Sequence, residues 1–391
     1  MSKRIVFIVQ GEGRGHFTQA IAAYEILSKG GYHVAAVLVG SSRRREIPEF
    51  VRERINAPFF NFESPNFVTD SKNRSIHLGR SVFNTLFHIR KYLKSIRFIQ
   101  QNVHKAEADT VINFYEPLAG ICKKYYQWKI QMLSIAHQFL YLHPEFEFPS
   151  GANTVQKNVI RLYTKFVSIG ADAIMALSFY PFKTQQYRNI SVTPPLLRSC
   201  IKEQEIYTGN HFLIYLVNAG YMEAVITWHK KHPDIIIHCF TDSKMVKGSW
   251  QYDDRLTFHS LHDQRFLKYM ASARGIMTTA GFETVCEAMY LNKPVLMVPV
   301  EGHFEQWCNA RDGAKAGAGI YAENFNIDPL IALTDHSIET SNHFKDWVDK
   351  TQDILRSFVQ NEPINHKTQT PPLILNISKV AENEISTQSI V

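Results

Sequence analysis

Apolar residues fall along the chain in short runs, each closed by glycine or polar turn residues and followed by apolar positions at helical spacing. The first run, Ile5 to Val9, leads into the loop Gly11 to His16 (GEGRGH) and then a pattern carrying Ala20, Ile21, Ala23, Tyr24 and Leu27. A second run, His33 to Val39, completes a strand, glycine turn, helix, strand unit, which implies parallel strands joined by right-handed crossovers. Thr110 to Asn113, Gln131 to Ala136 and Ala173 to Ala176 read as further strands. The cycle stops between Ser191 and Gly209, where Thr193, Pro194 and Pro195 continue neither a helix nor a central strand. It restarts with Phe212 to Val217, a turn at Asn218 to Gly220, a helix through Trp228, and strands at Ile235 to Phe240, Leu256 to Phe258, Gly275 to Thr278 and Pro294 to Pro299. Asn342 to Val359 reads as a late amphipathic helix. The pattern predicts an α/β chain of two doubly wound, Rossmann-like domains, residues 1–195 and 196–360, with 361–391 a polar, loosely docked tail.

Composition adds limits. The chain's 391 residues exceed one ordinary domain. No run approaches the roughly 20 apolar residues of a membrane-spanning helix, and Ile5 to Val9 is too short for a signal-peptide core. Five scattered cysteines without C-x-x-C spacing suggest neither a disulfide framework nor a zinc site, and a cytoplasmic setting follows. The net charge of +7 is local: between Ser41 and Lys105, thirteen Lys or Arg stand against five Asp or Glu, which leaves the rest of the chain at about −1. There Arg80, Arg90, Lys91, Lys94 and Arg97 interleave with Val82, Phe83, Leu86, Phe87, Leu93, Ile96 and Phe98. Two readings fit: a face for an anionic membrane surface or acceptor, peripheral to the inner leaflet, and a solvated helix whose cationic stems cover apolar surface. No nucleic-acid partner is expected.

Candidate chemistry concentrates between Gly275 and Gly319. Strand Ile276 to Thr278 ends in Ala280 and Gly281, and a helix from Phe282 carries Thr284 and Glu287 in its first two turns. Glycine there lets a diphosphate approach the backbone, and a helix N-terminus offers amide donors with a partial charge of roughly +0.5. Glu287, one turn inside, suits the two hydroxyls of a ribose. The strand from Pro294 empties into Glu305 and Gln306, placed for sugar hydroxyls at a neighbouring strand end.

The pattern A-G-x-x-T-x-x-E-A-x-x-x-x-K-P-x-L-x-x-P, followed by E-Q and N-A, resembles the donor-binding region of GT-B UDP-glycosyltransferases, of the family 1 and family 28-like bacterial and archaeal kind. The resemblance implies two Rossmann-like domains facing each other across a cleft, the donor in the C-terminal one. It places diphosphate contacts on Gly281 and Thr284, the ribose on Glu287, and the donor sugar on Glu305 and Gln306. The base falls near Phe258 to Leu261, and a weaker phosphate-facing turn falls at Gly220. The implied activity is that of a hexosyltransferase using a nucleotide sugar, a UDP-sugar, with a lipid or glycan acceptor and neither cofactor nor metal.

The N-terminal loop lacks the third glycine of a dinucleotide fingerprint and the acidic residue after the second strand, and it has no Gly-Lys-Ser/Thr ending. It does place His16 at a helix N-terminus. In GT-B transferases a similar Gly-His turn lines the acceptor site, which casts His16 as general base and Gly13 and Gly15 as acceptor contacts. Glu116, before Pro117, and the pair His137 and Gln138 stand at the ends of two further strands; Glu116 is the rival base or the group that orients His16. Asp253 and Asp254 form a polar turn rather than a metal motif. Two alternatives to inverting transfer are a nucleotide-sugar 2-epimerase and a non-catalytic nucleotide-sugar-binding protein.

Overall fold

The computed structural model describes residues 3–41, 47–65, 89–216, 219–243, 245–335 and 343–362. The chain divides into two compact units, the first running to Ser199 and resuming at Asp346, the second running from Cys200 to Lys345.

In the first unit, β1 (Arg4–Gln10), α1 (Arg14–Lys29), β2 (His33–Ser41), α2 (Glu49–Arg54), β3 (Phe59–Glu63), α3 (Ile89–Lys105), β4 (Thr110–Phe114), α4 (Pro117–Tyr126) and β5 (Gln131–Ala136) follow in order. A 3-10 turn, His137–Leu142, then leads to α5 (Thr154–Val167), β6 (Ala173–Leu177), β7 (Gln186–Tyr187) and β8 (Ile190–Thr193). The sheet order is β3-β2-β1-β4-β5-β6-β8-β7, parallel except where β7 meets β8. β1 is buried on both faces, which is why it reads as an unbroken apolar run. One face packs Val6, Ile8 and Leu38 against Ile96, Ile99 and Val103 of α3 and Leu118 and Cys122 of α4.

The second unit contains α6 (Ser199–Lys202, which begins at the division), β9 (His211–Leu216), α7 (Met222–His229), β10 (Ile236–Thr241), β11 (Ser249–Gln251), β12 (Leu256–Ser260) and α8 (Asp263–Ser272). It continues through β13 (Gly275–Thr278), α9 (Phe282–Tyr290), β14 (Val295–Met297), α10 (Phe304–Lys315), β15 (Gly319–Tyr321), α11 (Asp328–Asp335) and the first three residues of α12 (His343–Asp349), whose remainder lies in the first unit. The order β11-β12-β10-β9-β13-β14-β15 is parallel except for the β11–β12 pair. Strand order reverses between β1 and β4 in the first unit and between β9 and β13 in the second. Those switch points, beyond the carboxyl ends of the strands, are where open α/β sheets hold ligands.

One domain assignment needs correction. α13 (Thr351–Gln360), which the sequence pattern gives to the second domain, belongs to the first unit. Lys3 Nζ donates to the Val359 carbonyl at 2.9 Å, Thr351 Oγ1 to Pro195 at 3.1 Å, and the Trp347 indole to Ser178 at 3.0 Å. The single late helix of the sequence reading is two, broken at Lys350. The tail from residue 363 lies outside the described residues.

The basic stretch is only partly described: Arg43, Arg44, Arg45, Arg80, Val82, Phe83, Leu86 and Phe87 lie outside. In α3 the apolar side, Ile96, Ile99 and Val103, is taken up by the first unit's own core, while Arg90, Lys91, Lys94 and Arg97 face solvent. That is the solvated-helix arrangement. Among the described residues no helix is long and apolar enough to cross a membrane.

Candidate functional site

At the second unit's switch point, β13 ends and the chain turns through Ala280, held at φ 59°, into Gly281, the N-cap of α9. A left-handed alanine is strained, and Asn309 of α10 braces it by donating to its carbonyl at 3.1 Å. Gly281 has an ordinary φ of −67° and makes no side-chain cap bond. A Cβ placed there would meet only Thr284 Oγ1, at 3.9 Å. Gly281 and Thr284 are both half-buried, so this helix start is open where the diphosphate contacts are expected.

Behind it lies an acidic patch. Glu287 is 4% exposed, Glu283 one turn earlier is 7%, and Asp312 of α10 is 6%. Between them the buried Cys286 thiol is pushed well above its ordinary value, by burial first and then by these three carboxylates. At the next strand end, Gln306 Oε1 accepts from the Val300 amide at 2.9 Å, which fixes the side chain and turns its NH2 group to donation. Glu305 is half-buried beside it. Thr241, Thr278 and Thr279 have buried hydroxyls without a protein partner at the ends of β10 and β13, as does Asn309 Oδ1. Buried polar atoms seldom go unsatisfied, so four such atoms around one strand-end region mark it for water or ligand. The sequence reading passed over Thr279 and Asn309; the signal for Asn309 stood in the N-A of its own motif.

One donor-side expectation changes. Phe258 is fully buried in the second unit's core and stacks on Trp250 at 5.2 Å, so its ring presents no surface to a base. Leu261, past the end of β12, is half-buried. Gly220 lies exposed in the 3-10 turn Ala219–Tyr221, while Asn218 lies outside the described residues. Asp253 serves its own turn: its carboxylate accepts from the amides of Arg255 and Leu256 and lies 2.9 Å from His229 Nε2. Among the described residues no three His, Cys, Asp or Glu side chains gather as a metal site.

The first unit's switch point is filled by its own side chains. Gly11 closes on β2 through a 2.7 Å bond to the Gly40 carbonyl, and a Cβ on Gly40 would fall 2.2 Å from Glu116 Oε2. Glu116 is completely buried and caps α4, its Oε1 accepting from the Leu118 amide at 3.1 Å and from Ser64 Oγ at 2.5 Å. Burial raises its pKa to about 8, against the lowering effect of those two bonds. An enclosed helix cap cannot take a proton from an acceptor, so the rival-base expectation for Glu116 is corrected. Nor does Glu116 supply the hydrogen bond that orients His16. That bond comes from Gln19, whose Oε1 lies 3.4 Å from His16 Nδ1, one helical turn along, while Tyr115 stacks on the ring at 5.6 Å. Burial pushes the His16 pKa down to about 4, so near neutral pH the ring is uncharged, and a proton on Nδ1 facing Gln19 leaves Nε2 as the basic atom.

Gly13, the N-cap of α1, and Gly15 are half-buried beside His16. His137 and Gln138 are enclosed, at 1% and 9% exposure. His137 Nδ1 lies 2.8 Å from the Leu177 carbonyl and its ring packs on Tyr141 and Phe179, which makes it a bracing side chain between β5 and β6.

Comparison with known proteins places this architecture. The family model described as glycosyl transferase family 1 matches residues 3–335. An uncharacterized glycosyltransferase of Methanosarcina acetivorans is 24% identical over 339 residues, 81% of this chain and 82% of that protein. The UDP-N-acetylglucosamine--N-acetylmuramyl-(pentapeptide) pyrophosphoryl-undecaprenol N-acetylglucosamine transferase of Fusobacterium nucleatum is 23% identical over 313 residues, 76% of this chain and 78% of that one. The solved structure of LpCGTa in complex with UDP matches with a TM-score of 0.60 at 12% identity, over 92% of this chain and 99% of that one, a likeness of fold. With two doubly wound parallel sheets and a family match across nearly its whole described length, the chain belongs to glycosyl transferase family 1 and is a GT-B glycosyltransferase.

Proposed function

We propose that the enzyme moves a sugar from a nucleotide diphosphate donor, read as a UDP-sugar, to an acceptor hydroxyl with inversion at the anomeric carbon. One observation carries the donor reading. It is the open, glycine-capped start of α9 at the second unit's switch point, backed by buried Glu287 and by the anchored Gln306 amide. The names of two similar proteins support the choice of nucleotide: one is a UDP-N-acetylglucosamine transferase and the other was solved with UDP.

In this reading Gly281 and Thr284 meet the diphosphate, Glu287 the ribose, and Glu305 and Gln306 the sugar. The acceptor oxygen attacks the anomeric carbon as the bond from that carbon to the diphosphate oxygen breaks. The hydroxyl proton passes to His16 Nε2, and the nucleotide diphosphate leaves with its new charge facing the α9 amides. The acceptor, a lipid or glycan hydroxyl, is held on the first unit beside Gly13 and Gly15.

A thermal-shift screen of nucleoside diphosphates and their sugars tests the reading. A true donor at a hundredfold excess over its dissociation constant stabilises by about 2.7 kcal/mol. UDP and one UDP-sugar raising the melting temperature is the expected result; a protein indifferent to every nucleotide ends the proposal. Conversion of the sugar to its epimer without an acceptor assigns the site to isomerisation instead.

A further inference from the structure

A cavity of about 530 Å³ opens on the first unit between the segment from Tyr141 to Pro144 and α5, with Tyr187 at its edge. It is separate from the switch point. Its size is that of a small-molecule site, and its lining is one-sided in charge: Arg161, Lys165, Asn158 and His143 contribute nitrogen, Leu142 and Leu162 contribute hydrocarbon, and among the described residues no Asp or Glu lines it.

Two of these groups are held in place. Arg161 Nε donates to the Tyr141 carbonyl at 3.2 Å, and its guanidinium carbon lies 4.8 Å from the centre of the Phe148 ring. His143 is fully buried; its Nδ1 accepts from the Glu145 amide at 3.2 Å and the ring also hydrogen-bonds the Thr184 backbone, so it lines the cavity as a satisfied side chain. A cavity lined by two cations and by no described carboxylate calls for an anion.

α5 says what accompanies that anion. Its inward side is Thr164 and Val167, with Ile160 and Tyr163 partly covered. Its outward side carries Val155 at 63% exposure, Leu162 at 71% and Phe166 at 38%, continued by Ile169 at 38%. The same side carries Asn158 and Lys165, and the helix has Lys157, Arg161 and Lys165 with no acidic residue at all. Apolar side chains exposed on a cationic helix are the pattern of a surface that meets an anionic amphiphile.

We propose that this cavity binds the phosphate group of a lipid, with the lipid's hydrocarbon lying along Leu162, Phe166 and Ile169. Arg161 and Lys165 take the phosphate oxygens. The site is distinct from the donor site and does not depend on it.

The test uses the full chain and isothermal titration with two probes: dihexanoyl phosphatidic acid below its micelle concentration, and inorganic phosphate. The lipid phosphate should bind at least tenfold tighter. Lys165→Glu, at an exposed position, should weaken both probes at least fivefold, and Leu162→Ser should weaken the lipid while sparing inorganic phosphate. Arg161→Gln should also weaken both; because Arg161 braces Tyr141, its melting curve is compared with wild type, and Lys165→Glu decides if it is unstable. Equal affinity for the two probes overturns the lipid part in favour of a free-phosphate site. Absence of binding, or binding untouched by Lys165→Glu and Leu162→Ser, overturns the whole proposal.

Discussion

The two switch points share one topology and differ in what fills them. In the first unit the turn after β1 is packed by the protein itself: Glu116 presses on Gly40, and His16 lies between Gln19 and Tyr115. In the second, the turn after β13 ends in a glycine whose missing Cβ would meet almost nothing, above buried hydroxyls without partners. Strand ends beside a switch point thus serve as a braced platform for one imidazole in one unit and as an open helix start in the other. A strand, glycine turn and helix is therefore not by itself a phosphate site; the space around the glycine decides.

Substitutions sharpen that contrast. The largest effect is expected for His16→Ala, which should lower kcat by about 10²- to 10⁴-fold, the usual contribution of a general base, with donor affinity unchanged. Steady-state kinetics with a saturating donor checks it, and a loss under tenfold would remove His16 from the chemistry. Glu287→Ala should raise the donor KM about 10- to 100-fold, corresponding to the roughly 1.5–3 kcal/mol of hydrogen bonds to a charged group.

The paired alanine substitutions come next. Gly40→Ala should destabilise the first unit by about 1–3 kcal/mol, because its methyl group meets the Glu116 carboxyl. Gly281→Ala should leave stability within about 0.5 kcal/mol while weakening UDP binding. Melting curves and a UDP titration on both variants decide it; the reverse pattern would invert the comparison.

In pH dependence the two units are expected to oppose each other. His211, His238 and His259 stand on the adjacent strands β9, β10 and β12. His238 Nδ1 lies 3.0 Å from His259 Nε2, and His259 Nδ1 lies 2.8 Å from Ser249 Oγ. Burial pushes His238 and His259 to about 4 and lowers His211, with Arg265 near His259 and Lys293 near His211 adding to the effect. The unfolded chain takes up protons near 6.5 while the folded unit does not, so the second unit should lose stability as pH falls from 6.5 towards 4. Glu116 works the other way: folded, it holds its proton to about 8, whereas unfolded it releases it near 4.5, so it costs the first unit stability as pH rises between those values. Glu116→Gln should remove the alkaline slope and leave the acid one, as read by hydrogen exchange resolved to each unit.

The sequence shows the repeating strand and helix plan and the turn from Thr278 to Glu287 clearly, because an unbroken apolar run, a glycine and an amphipathic helix each have local signatures. It hides β7, β11 and β15, which have only two or three residues and no alternation. It also hides the return of α13 to the first unit, since that rests on Lys3, Pro195 and Gln131, far off in sequence. Residue type marks Glu116 and Phe258 as candidates, but their fate depends on burial, which type does not carry. The partner of His16 was legible in principle, because Gln19 stands one helical turn beyond it.

The central claim is that the donor's diphosphate sits on the open start of α9. Hydrogen–deuterium exchange with and without saturating UDP tests it most directly. Protection should appear in residues 278–288 and 300–309, with residues 11–19 unchanged. Protection confined to residues 11–19, or absent from 278–288 while UDP is bound, would contradict the account.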